Sequence, residues 1–255
     1  MASYFIYDSI NMYRSDNTDS EGTISAGTFS TGTTVTNHER ASDQNIGTGI
    51  SGIISTDAIQ YAVGSSSTAD AVAVYFLGDD GVASGTIMTF YASNDTTVGS
   101  SIGTISAVSA AGWQIASLTE STKTKFYTEF NASISDSIVA EILIGKKLNF
   151  EIEPDVNIQS SIDYQNEINR SLGGVEYAIN VNPGQEVFTI SFQNISSTFK
   201  SDLITMQDAL KGESKKFVWY DGTNYHWVRL DKPLTFTEIA DGRFSTQITM
   251  RQQIQ

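Results

Sequence analysis

TKFYTEFNA, residues 124–132, alternates: Phe126, Thr128 and Phe130 fall on one side, Tyr127 and Glu129 on the other. Successive side chains of an extended chain point to opposite faces, so a period of two describes a strand covered on one side. The segments around it read the same way. ADAVAVYFLGDDG (69–81) is a buried strand running into an Asp79-Asp80-Gly81 turn, and GTIMTFYASND (85–95) follows with Ile87, Thr89 and Tyr91 on one face and Met88 and Phe90 on the other. IGTISAV (102–108), GWQIASL (112–118) and SIVAEILIGKKLNFEI (137–152) complete the run. Short strands spaced ~8–12 residues apart, with no helical period among them, predict an antiparallel β-sandwich.

Toward the N-terminus, residues 15–70 are rich in Ser, Thr, Gly, Asn and Asp, with apolar islands at Ile24, Phe29, Val35, Ile50–Ile54 and Ile59–Val63. β-Branched residues suit a pleated surface while Gly, Asn and Asp supply turns, so this part also reads as short strands. All three prolines, Pro154, Pro183 and Pro233, lie beyond residue 153, and the composition changes there. The expected division is therefore 1–153 and 154–255, with LNFEIEPDVNI (148–158) as the boundary.

In the second part, VNIQSSIDYQNEI (156–168) places Val156, Ile158, Ile162, Tyr164 and Ile168 on even positions, and VEYAINV (175–181) places apolar residues on odd ones. Gly173-Gly174 between them predicts a hairpin turn. VFTISFQ (187–193) is a further strand. Thr198–Lys211 is the one predicted helix: Phe199, Leu203, Met206 and Leu210 form an apolar stripe, Ser196 and Ser197 can cap it, Asp202 is placed in its first turn, Lys211 in its last, and Gly212 follows. Then come KKFVWY (215–220) and YHWVRL (225–230) around Asp221-Gly222-Thr223-Asn224, and LTFTEI (234–239) and FSTQITM (244–250) around Ala240-Asp241-Gly242. The expected unit is β-rich α+β, one helix on a sheet.

Composition excludes several chemistries. Fifteen Lys+Arg against 29 Asp+Glu give a formal charge of -14, with a pI near 4.4 and a mean hydropathy of -0.16, so nucleic acid is not an expected partner. There is no cysteine, which removes disulfides, thiolate metal sites and a thiol nucleophile. The only histidines are His38, read as a loop residue, and His226, read as a strand side chain. MASYFIYDSINMYRSDN (1–17) lacks a basic segment followed by an apolar one, and no run of ~18 apolar residues occurs, so neither a secretory signal nor a membrane span is expected.

Gly47-Thr48-Gly49-Ile50-Ser51-Gly52 satisfies G-x-G-x-x-G but lacks the strand before and the helix after that dinucleotide binding needs, and reads as a turn. Asp16, Asn17, Asp19 and Glu21, Asp79-Asp80, or Asp95 could offer oxygens to Ca²⁺, without the spacing of a calcium loop; they read as solvated acidic turns. Glu151 with Glu153, or Glu120 with Glu129, could be drawn as a glycosidase pair ~5–9 Å apart, but 29 acidic residues make such pairs unavoidable. The expectation is a protein that is not an enzyme and holds no cofactor or metal. Trp219, Tyr220, Tyr225 and Trp227 cluster in one hairpin, and alternation must turn some of them away from the core, which makes them the candidate interface. Trp113 reads as core.

Two resemblances follow. FYASND, GWQIASL, TKFYTEFNA and VAEILIGKKL, with Ser93, Asn94, Asp95, Trp113, Glu141, Ile142, Ile144 and Gly145, resemble the second half of a discoidin-type (galactose-binding-like) jelly roll; the resemblance implies that fold and, as an alternative function, a carbohydrate-binding adhesin in which Tyr13, Tyr61 and Tyr91 supply aromatic surface. The segments 170–196 and 215–253, with the Leu230-Asp231-Lys232-Pro233-Leu234 bend, resemble the closing part of tail-tip, baseplate and tube-associated proteins of tailed bacteriophages. That resemblance implies a structural component of a virion tail, assembled in the host cytoplasm with other tail proteins, a homo-oligomeric ring with six copies favoured, and a jelly roll that projects outward toward a host-surface glycan.

Overall fold

The structure is a computed structural model and describes residues 3–9, 22–28, 43, 45–50, 57–77, 86–94, 99–106, 111–131, 139–154, 158–164, 166–171, 176–180 and 184–253. It is mostly antiparallel β-structure with a single helix among the described residues, as the alternation predicts. The chain divides into two units, Tyr4–Asn149 and Phe150–Ile254, the latter including the first three residues. The break falls at Asn149/Phe150, ahead of the expected 153/154. Phe150 explains the difference: its ring meets Phe192 at 5.1 Å and Phe199 at 6.4 Å, edge to face, so it belongs to the second unit's core while Pro154 lies past the junction.

The first unit holds β1 (Tyr4–Tyr7), β2 (Gly22–Thr28), β3 (Asp57–Phe76), β4 (Thr86–Ser93), β5 (Ser101–Ser106), β6 (Gly112–Phe130) and β7 (Val139–Asn149). β3 and β6 are twice the length of the short strands expected. The first half of β3 (Ala58–Ala62) lies between β2 and the second half of β6; its second half (Ala71–Phe76) lies between the first half of β6 and β7. β4 and β5 extend the one layer and β1 the other. Ile59, Tyr61, Phe126 and Phe130 from one layer and Val72, Val74, Phe76, Ile142 and Ile144 from the other form one buried cluster. Fully burying such side chains is worth ~1.5–3 kcal/mol each, and this cluster holds the layers together.

Phe126, Thr128 and Phe130 are all buried, as their alternation predicts. Ile87 departs from its predicted face. The register shifts between Thr86 and Met88, and the extra residue turns Ile87 into the core cluster while Thr89, itself buried, and Tyr91 stay out of that cluster. Gly145, part of the discoidin-like pattern, lies under β1: a Cβ there would come within 1.8 Å of the Tyr7 carbonyl oxygen. Only glycine lets β1 and β7 approach this closely.

The second unit holds β8 (Gln159–Asp163), β9 (Asn166–Arg170), β10 (Glu176–Asn180), β11 (Gln185–Ser196), α1 (Ser197–Ala209), β12 (Lys216–Tyr220), β13 (Tyr225–Leu230), β14 (Thr235–Ala240) and β15 (Arg243–Gln252). Its sheet runs β12-β13-β15-β11-β8, and β14 pairs with the other end of β15. β9 and β10 pair separately, in a register that brackets the predicted Gly173-Gly174 turn; those two glycines lie outside the described residues. The helix starts one residue earlier than expected. Ser196 caps it, its Oγ accepting from the Phe199 N–H at 3.1 Å while donating to Glu151 Oε2 at 2.6 Å. Asp202 consequently falls beyond the first turn and Lys211 beyond Leu210, the C-cap, so neither charge sits on the helix end that was expected to favour it. Phe199, Leu203, Met206 and Leu210 are buried, as their spacing predicts.

Candidate functional site

The predicted aromatic interface is largely internal. Trp219, Tyr220 and Trp227 are buried, Trp219 to 1% exposure, and only Tyr225 reaches the surface, at 37%. Trp219 stacks on His226 at 4.9 Å and meets Phe188 edge-on at 5.1 Å; Tyr220 packs on Tyr225 at 4.8 Å. Burial of both faces of this hairpin removes Trp219, Tyr220 and Trp227 as exposed anchors. The hairpin's turn is held by Asp221, whose Oδ1 accepts from the Thr223 and Asn224 N–H groups, both at 2.7 Å, while Oδ2 sits 2.9 Å from His226 Nε2. Burial alone would raise the Asp221 carboxyl, but the Asn224 and Thr223 amides and the His226 ring outweigh it and hold the group below its ordinary value.

The carboxylate pairs do not converge. Glu120 and Glu129 lie on one strand, β6, nine residues apart at ~3.3 Å each, with Glu120 held by Lys146 Nζ at 2.9 Å. Glu153 accepts from the Ser3 N–H and hydroxyl, and Glu151 from Ser196. The glycine pattern at 47–52 begins as a turn: Gly47 donates to Asn45 Oδ1 and Thr48 to the Asn45 carbonyl. Its last two residues lie outside the described ones, as do His38, Tyr13, Asp16, Asn17, Asp19, Glu21, Asp79, Asp80 and Asp95. Among the described residues no group of three or more His, Asp or Glu gathers to hold a metal, and no helix is long and apolar enough to cross a membrane.

Polar chemistry and aromatic surface do meet on the outer side of β4 and β6. The register sets Gln60, Tyr127 and Tyr91 in one row across β3, β6 and β4, and Ala58, Glu129 and Thr89 in the next. Tyr91 Oη donates to Glu129 Oε2 at 2.8 Å, and Thr89 Oγ1 donates to Asn131 Oδ1 at 2.7 Å, which fixes the orientation of that exposed amide. Burial, then the Glu129 carboxylate, raises the Tyr91 phenol above its ordinary value; burial raises Tyr127 as well. Both therefore stay neutral donors at physiological pH. The result is a face on which the Tyr91 ring and the Glu129 carboxylate are half-buried and the Asn131 amide is exposed, backed by the buried Tyr127 ring and Thr89 hydroxyl and fixed on rigid strands. Aromatic rings offer apolar faces to ring C–H groups, and oriented carboxylates and amides accept and donate to hydroxyls. The sequence reading found Tyr91 but not its partners, because the pairing of β4 with β6 is not a local property. Tyr61, its companion in that reading, is in the core at 1% exposure.

No protein-family model matches the chain, and no curated protein matches it. Among solved structures, the carbohydrate-binding module CBM32 of AlyQ in complex with 4,5-unsaturated mannuronic acid is similar at 16% identity and a TM-score of 0.39, covering 58% of this chain and 98% of that one. Chitosan-binding module 1 from a chitosanase/glucanase of Paenibacillus sp. IK-5 is similar at 16% identity and a TM-score of 0.37, covering 49% and 96%. Truncated AlyQ with its CBM32 and alginate lyase domains is similar at 15% and 0.41, covering 88% and 56%. These neighbours leave this chain's ligand unassigned.

Proposed function

We propose that this chain is a non-enzymatic carbohydrate-binding attachment protein whose first unit takes a neutral glycan on the β4–β6 patch. The observation that carries the reading is the Tyr91–Glu129 hydrogen bond beside Tyr127 and the Thr89–Asn131 pair: ring surface and oriented polar groups on one rigid face. A chain with a formal charge of -14 repels polyanions, which favours neutral over uronate-rich polysaccharide. Titration calorimetry of the full chain against neutral and uronate oligosaccharides tests it. Binding of neutral glycans that is lost in Tyr91→Ala supports the reading; no binding to any glycan, or binding indifferent to Tyr91→Ala, overturns it.

A second reading is a structural component of a tailed-phage virion tail, with the glycan site serving host attachment. It rests on the sequence resemblance of residues 170–196 and 215–253, which the second unit folds as a sheet with one helix and a separate β9–β10 pair. Immunogold labelling of tail particles with antibody against the full chain tests this reading; absence of label from intact particles sinks it.

A further inference from the structure

We infer that β8 is a self-association edge, through which two copies of this chain pair their sheets antiparallel about a two-fold axis at Ser161. Among the described residues β8 is the last strand of its sheet, with β11 on one side and no strand on the other. Its unpaired side therefore offers backbone donors and acceptors to another strand.

Natural edges are guarded by lysine, proline or inward charge. Residues 158–164, Ile-Gln-Ser-Ser-Ile-Asp-Tyr, contain neither lysine nor proline. Instead Ile158, Ile162 and Tyr164 are exposed at 43%, 60% and 47%, on alternate positions and hence one face. Gly184 supports two of them from below: a Cβ there would meet Ile162 Cγ2 at 2.5 Å and Tyr164 Cε1 at 2.7 Å.

Charge selects the occupant. A second copy is equally acidic, so two copies can meet only where charge is absent or neutralised. Gln159–Ile162 carry none, and Asp163 is neutralised by Arg251, whose NH1 lies 2.8 Å from Asp163 Oδ2. Among the described residues of β8 and β11 the remaining carboxylate is Glu186, opposite Ile162 on β11 and bonded by Ser160 Oγ. With strands ~4.8 Å apart, two such residues would stand three spacings away, about 14 Å, beyond the ~8–10 Å screening length. Beside β8 in the second unit's main sheet, the other edge strand, β14, carries Glu238, and Asp241 follows it, so it is a poorer partner edge.

An axis at Ser161 sets Ile158 against Tyr164 and Ser160 against Ile162 of the second copy, twice over, and uses the strand's whole length. The area is well under the ~800 Å² per partner of stable complexes, so the dimer is weak and concentration-dependent. An isologous contact closes at two copies, so it does not by itself build a six-membered ring.

The cysteine-free chain makes the test clean. Directly opposed antiparallel residues have Cα atoms ~4.5–5.5 Å apart, within disulfide range, so Ser161→Cys should cross-link to a covalent dimer under mild oxidation. Light scattering should show a reversible dimer that Ile162→Lys abolishes and Ile239→Lys, on β14, leaves intact. A strict monomer up to about 1 mM, where the coupling would be weaker than ~4 kcal/mol, overturns the inference. So do an oligomer indifferent to Ile162→Lys and a failure of Ser161→Cys to cross-link. None of these outcomes depends on glycan binding, which is measured separately.

Discussion

Tyr91 on β4 donates its phenol hydrogen to Glu129 on β6 across 2.8 Å, although the residue directly opposite Tyr91 in the register is Tyr127. The bond is diagonal, and it ties the two strands of the proposed glycan face through their side chains as well as their backbones. Tyr91→Phe removes the donor and keeps the ring, so it should weaken glycan binding several-fold, in line with ~0.5–1.5 kcal/mol for one hydrogen bond. Tyr91→Ala also removes the stacking surface and should reduce binding further. Calorimetry on both variants, with circular dichroism as a check on the fold, separates the two contributions.

Gly145→Ala should destabilise the first unit strongly. The added Cβ meets the Tyr7 carbonyl, which is backbone and cannot rotate away, so β1 and β7 must part. Overpacking commonly costs ~1–3 kcal/mol, and this contact lies at or above the top of that range. Denaturant midpoints of the wild type and the variant report it.

Asp221 makes the second unit sensitive to acid. Its pKa is lowered in the folded state, so the stability it contributes is present above its ordinary value near 4 and is lost as pH falls through the folded value. Asp221→Ala should remove that acid-limb loss along with the two turn hydrogen bonds, at a cost of about 1–3 kcal/mol near neutral pH. Urea midpoints followed from neutral pH down into the acid limb would show a shallower decline in the variant.

The alkaline limb belongs to the first unit. Tyr61, Tyr91 and Tyr127 all have raised values, with burial the largest cause in each. A raised folded value means that the stabilisation is complete below the ordinary tyrosine value near 10 and is lost as pH climbs past it. Phenolate absorbance should therefore show these tyrosines ionising late, Tyr61 only on unfolding, and Tyr61→Phe should extend stability into alkali. Early ionisation of all eleven tyrosines together would refute the assignment.

Ser196→Ala should cost ~0.5–2 kcal/mol, because the hydroxyl both caps the Phe199 N–H and bonds Glu151. Ser196→Asp keeps the cap but sets a second carboxylate against Glu151. It should recover less than Ser196→Thr, and thermal melts rank the three.

Most of the architecture was legible because it is written in local periods. Phe126, Thr128 and Phe130 announce a one-sided strand, and Phe199, Leu203, Met206 and Leu210 announce a helix stripe; each pattern reflects a burial that the neighbouring residues already specify. The bulge at Ile87 was not legible, since an extra residue is defined only against the partner strand. The hairpin aromatics were misplaced for a related reason: alternation says that Trp219 and Tyr220 face opposite ways, but not that both sides are covered. The Tyr91–Glu129 pair joins residues from two strands whose adjacency no local pattern encodes. The even-numbered apolar residues of β8 share one face, as their spacing says, but spacing alone does not tell whether that face is covered, and Ile158, Ile162 and Tyr164 lie exposed.

β3 and β6 each belong to both layers of the first unit, with Ala58 opposite Glu129 near one end of the pairing and Phe76 opposite Gly112 at the other. Neither layer can open without unpairing a strand of its counterpart, so the unit has no separable half to lose first. Its slowest-exchanging amides should form one class along both strands and exchange only through global opening. The same pairing joins residues remote in sequence, which delays the moment at which any contact offsets the entropy of closing the chain. This unit is thus built to fold slowly and, once folded, to resist fraying.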